Sequence, residues 1–73
     1  MKMNAIKALS ILKRQSEQHP RTLTPRELAR KYNTKFETEC DWHEASMLLD
    51  CAHNNGLIKV TGIDSSGMTI YSW

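Results

Sequence analysis

Thr24-Pro25-Arg26-Glu27 marks a helix start more sharply than any other stretch of this chain. A threonine side chain accepts from the free N–H groups of a first helical turn, and proline suits the first helical position. A glutamate three residues after the threonine reaches back to its backbone N–H. The spacing therefore predicts a helix from Pro25 to about Tyr32, with Leu28, Ala29 and Tyr32 inward and Asn33 as its stop.

The rest of the chain is arranged around that helix. Asn4 can cap an earlier helix from Ala5 to about Gln18, whose Ala5, Ala8, Leu9 and Leu12 fall at helical spacing. Ile6 and Ile11 widen this stripe, and His19-Pro20 ends the helix, because the residue before a proline leaves the helical region. Arg21-Thr22-Leu23 is compatible with a short strand. From Asn33 to Cys40 the sequence reads as a loop. Asp41, with Glu44 three residues on, then caps a third helix to about Asn54. Ala45, Leu48, Leu49 and Ala52 form its core stripe, and Gly56 after Asn54-Asn55 supplies a left-handed stop. Leu57–Thr61 and Met68–Trp73 read as strands, joined across a turn from Gly62 to Gly67.

Seventy-three residues suffice for one compact domain, so residues 1–73 are expected to form a single α+β unit of modest stability. Trp42, Tyr71 and Trp73 are expected to join the helical stripes in its core. No apolar run is long enough to cross a membrane, and Lys7 and Ser10 interrupt Ala5–Leu12 as a signal-peptide core. Cys40 and Cys51 are too few for the disulfide framework of a small secreted domain. A cytoplasmic protein with free thiols is the expectation.

The order of helix, short strand, helix, helix and hairpin resembles the winged helix-turn-helix superfamily. Two stretches carry the resemblance. Thr24-Pro25-Arg26-Glu27-Leu28-Ala29-Arg30-Lys31 looks like the opening helix of the motif, and Ala45 to Val60 looks like a recognition helix running through Asn55-Gly56-Leu57-Ile58 into a wing strand. The resemblance implies a three-helix winged helix-turn-helix with a C-terminal β-hairpin wing. It also implies a third helix laid in the major groove and a hydrophobic pair, Leu57-Ile58, anchoring the wing. The Asn33–Cys40 segment is longer than the usual turn between the two motif helices.

Charge is distributed unevenly. Residues 1–35 hold nine basic side chains against two acidic ones, and residues 36–73 hold one basic against six acidic. Such a split points to a polyanion or an acidic partner for the first half. Arg26, Arg30, Lys31 and Lys35 are the expected contacts to DNA phosphates, with Lys59 the basic residue of the wing region. The outer face of the third helix should present His43, Ser46, Met47 and Asp50, with Asn54 beyond them. Those residues can meet base edges, but the strong base readers Arg and Lys are absent there. The leading expectation is thus a small DNA-binding regulatory protein that grips duplex DNA mainly by its backbone. A self-dimer would double the contact area. The alternative is a protein-interaction winged helix, in which an acidic third helix flanked by Trp42 and Met47 docks on or inhibits a nucleic-acid-binding protein.

Other chemistries find little support. Cys40, His43, Cys51 and His53 are ligand types, but on one continuous helix the two cysteines would lie about 16 Å apart along the axis. No metal or cofactor is expected. There is no phosphate-binding glycine loop and no nucleophile beside a base, so no catalytic residue is assigned and the chain is not expected to be an enzyme.

Overall fold

The computed structural model describes residues 2–18 and 21–73. It contains α1 (Ala5–Ser16), β1 (Thr22–Leu23), α2 (Pro25–Phe36), α3 (Trp42–Asn54), β2 (Lys59–Ile63) and β3 (Thr69–Ser72). The strands form one antiparallel sheet in the order β1-β3-β2, so β3 is central. This α+β layout is that of three helices closed by a C-terminal hairpin, as expected of a winged helix-turn-helix arrangement.

The three predicted caps explain where the helices begin. Asn4 accepts from Lys7 N–H at 3.1 Å, and Asp41 accepts from Glu44 N–H at 3.1 Å. At α2 the exchange is reciprocal. Thr24 Oγ1 accepts from Glu27 N–H and Glu27 Oε1 accepts from Thr24 N–H, each at 3.3 Å. At the end of α3, Gly56 takes a φ of 76°. Its N–H donates to the His53 carbonyl, and Leu57 N–H donates to the Ala52 carbonyl, so two carbonyls left over by the helix are satisfied.

The structure corrects several expectations. Helix α2 does not stop at Asn33 but continues to Phe36, and Glu37 closes it in the left-handed region. The Asn33 side chain does not compete with the helix, because it serves the turn ahead. Its Oδ1 accepts from Cys40 N–H and from the Thr38 hydroxyl, and its Nδ2 donates to the Cys40 carbonyl, all at 2.8 Å. Phe36 adds a reason to continue, packing on Tyr32 with ring centroids 4.9 Å apart. The connection to α3 is therefore the short stretch 37–41. Helix α1 ends at Ser16 with Glu17 as its cap; the stop expected at His19-Pro20 lies outside the described residues.

The inner face of α1 is also rotated from the expected stripe. Ala8, Ile11, Leu12 and Gln15 are buried, while Ala5, Ile6 and Leu9 are exposed. Two bonds to α2 fix that orientation: Tyr32 Oη accepts from Asn4 N–H, and Gln15 Oε1 accepts from Lys31 Nζ. Trp42 is not a core residue. It stands on the first turn of α3 with 42% of its surface exposed. Only one of the pair after Gly56 anchors the hairpin: Ile58 is buried and Leu57, beyond the helix-ending turn, is exposed.

The core gathers Leu23 from β1, Leu28 from α2, Leu49 from α3 and Tyr71 from β3. Leu48 and Trp73 pack against it only partly buried. Strand β2 begins and ends two residues later than predicted. Gly62 belongs to the strand, next to an irregularity between Val60 and Gly62 that lets Thr61 bulge. The hairpin loop closes through Asp64, whose Oδ1 accepts from the N–H groups of Ser66 and Met68, each at 2.9 Å. Among the described residues no helix is long and apolar enough to cross a membrane.

Candidate functional site

Helical geometry distributes the cations of α2 around its outer surface. Residues four apart lie nearly above one another, so Arg26 and Arg30 share one side, while Lys31 and Lys35 are turned toward another. The packing of α1 and of the hairpin divides the four expected phosphate contacts differently, separating Arg26 from Arg30. Arg30, Lys31 and Lys35 line an open groove of about 470 Å³ with Arg14 of α1 and Thr34. Arg26 instead lines a separate groove of about 310 Å³ with Trp42, Ser46 and the hairpin segment 66–69. Neither lining contains a carboxylate.

Arg14 and Lys7 are two of the cations that sequence reasoning did not assign to a site. Both lie on α1, and only the packing of α1 on α2 shows where they go. Lys31 is held toward α1 by its bond to Gln15 at 2.5 Å. Lys7 and Lys35 converge on the Phe36 ring, their ammonium groups 5.3 and 5.5 Å from its centroid. An aromatic face attracts a cation through its quadrupole, so Phe36 offsets part of the repulsion between these two lysines. The result is a strip of positive charge along one side of α1 and α2. The Lys and Arg residues of both helices were visible in the sequence; their pairing across two elements was not.

The α3 residues occupy different settings. His43 is exposed and its ring stacks on Trp42, with centroids 3.8 Å apart. Met47 leaves 67% of its surface exposed. Ser46 is half-buried and lines the Arg26 groove. Asp50 is at the surface, but its carboxylate accepts from the Tyr71 hydroxyl at 2.5 Å. Burial, then the bond to Asp50 and its charge, push the Tyr71 phenol up to about 12. Lys59 pairs with Ser72 at the base of the hairpin, away from the loop at its tip.

That loop is organised around Asp64. The Ser66 hydroxyl and then the Met68 N–H hold the Asp64 carboxyl below its ordinary value, and the charge of Arg26 adds a smaller effect in the same direction. Asp64 is thus turned into its own loop, with Arg26 close enough to feel it. Cys40 is buried and Cys51 exposed, both as free thiols. Among the described residues no group of three or more His, Cys, Asp or Glu side chains is placed to hold a metal ion. The chain matches no family profile, no curated protein and no solved structure.

Proposed function

We propose that this chain is a winged-helix module of the cytosol that binds duplex DNA mainly through the phosphate backbone, in a regulatory role. The observation that carries the reading is the convergence of Arg14, Arg30, Lys31 and Lys35 on one open groove whose lining contains no carboxylate. Phosphates are the natural occupant of such a surface, because each neutralised phosphate releases condensed counterions. Lys7, drawn toward Lys35 by Phe36, extends the strip. Helix α3 would contribute His43, Ser46 and Met47 as groove contacts. With no Arg or Lys on α3, binding would depend weakly on sequence.

A second reading has its own observation. Trp42 and Met47 are both exposed on α3, and such side chains are enriched at protein interfaces. The two readings separate in one experiment: titration of the purified protein into a labelled random-sequence duplex at several salt concentrations. The DNA reading predicts saturable binding that weakens steeply with salt. A folded protein that fails to bind even at low salt overturns it and leaves protein docking through α3.

A further inference from the structure

We infer that the groove between Arg26, Trp42 and the hairpin loop takes an unpaired nucleobase of a DNA strand, so that the protein prefers duplexes carrying a single-stranded extension. The inference rests on the DNA-binding reading above. Four features of the groove point to this ligand. Its volume, about 310 Å³, lies at the lower end of the range that holds small organic molecules. One wall is an indole, and every base has a π-face that an aromatic ring can stack on without regard to sequence. That indole is steadied by the His43 ring against one face, so less rotamer freedom is lost when a base docks. A cation and hydroxyl groups stand beside it: Arg26 for a flanking phosphate, and Ser46 and Thr69 for base edges.

Two further observations favour a nucleotide over a protein side chain. The groove's lining is polar and apolar in about equal measure, with Arg26, Ser46 and Thr69 beside Trp42, Pro25 and Met68, a mixture suited to a base that is apolar on its faces and polar at its edges. Arg26 also stands one helical turn from Arg30 on α2, so this separate groove neighbours the cationic surface proposed to lie along the phosphates. No carboxylate is among the residues that line it, and Asp64, which feels the charge of Arg26, is occupied by Ser66 and Met68 of its own loop.

The test compares a blunt duplex with the same duplex bearing a short oligothymidine extension, by fluorescence anisotropy at one low salt concentration. The expected result is roughly tenfold tighter binding of the extended duplex, since one stacked base is worth about 1–3 kcal/mol and tenfold is about 1.4 kcal/mol. Trp42→Ala should erase that preference while leaving blunt-duplex affinity within about twofold, with an unchanged circular dichroism spectrum; Trp42→Phe should keep part of it. In a Trp73→Phe background the remaining indole should be quenched by the extended duplex and not by the blunt one. If Trp73→Phe does not fold, the same quenching is read as the difference between wild type and Trp42→Phe. Equal affinity for both duplexes overturns this inference and leaves the DNA reading standing. Quenching by both duplexes alike also overturns it, because Trp42 would then touch paired DNA. Binding to neither duplex overturns both readings.

Discussion

Tyr71 in the central strand donates its phenolic hydrogen to the Asp50 carboxylate on α3. The ring is buried in the core and the acceptor sits at the surface, so the bond ties the hairpin to the helix that carries Trp42, Ser46 and Met47. Tyr71→Phe keeps the ring and removes only the donor. Loss of a hydrogen bond to a charged group predicts a decrease in stability of about 1.5–3 kcal/mol, measured by urea unfolding. An unchanged midpoint would show that water replaces the phenol at Asp50 without loss.

The same pair predicts sensitivity to alkali. An unperturbed tyrosine titrates near pH 10, whereas Tyr71 is pushed up to about 12. The folded chain therefore holds this proton more tightly than the unfolded chain does. The corresponding stabilisation is fully present below about pH 10 and is lost as pH rises toward about 12. Thermal melts across that interval should show a falling midpoint for wild type. In Tyr71→Phe the fall should be smaller, and an identical decline in both proteins would assign it elsewhere.

Asn33 carries a third prediction. Its half-buried side chain makes three hydrogen bonds at 2.8 Å that shape the turn between α2 and α3. Asn33→Ala leaves the Cys40 N–H and carbonyl without these partners, and a buried unsatisfied group costs about 1–3 kcal/mol. The variant should melt earlier, and amide exchange should speed up first at residues 38–40. Asn33→Asp keeps the acceptor for Cys40 N–H but loses the donor to its carbonyl, so it should fall between the two.

Asn33 also shows which parts of this fold the sequence could reveal. Asn4, Thr24, Asp41 and Gly56 act within one helical turn of their own position, and each was read correctly because the chemistry involved is local. Asn33 looks like a helix stop by the same local rules. Its partners, Thr38 and Cys40, lie across a turn whose geometry the sequence does not display. The α1 stripe was misjudged for a related reason. Ile6, Leu9 and Leu12 are all apolar and helically spaced, and only contact with α2 decides that Leu12 goes in and Ile6 stays out. Trp42 is the same case at the edge of the α3 stripe. The cations were legible individually, but the grouping of Arg14 with Arg30, Lys31 and Lys35, and the separation of Arg26 from them, depends on how two helices pack.

That grouping makes the DNA reading quantitative at individual residues. Arg14 lies on a different helix from the other members of its groove, and no hydrogen bond of its side chain holds the fold together among those described. Arg14→Ala should therefore weaken binding to every duplex sequence alike and reduce the salt slope by about 0.9, the amount expected for one lost phosphate contact. Lys35→Ala should act in the same way. Lys31→Ala is a less clean probe, because its ammonium also bonds Gln15 between the helices, so its melting temperature should fall together with its affinity. Lys59, at the base of the hairpin, lines neither groove, and Lys59→Ala should change the slope far less. A Lys59 effect as large as that of Arg14 would move the phosphate path from the α1–α2 groove to the hairpin.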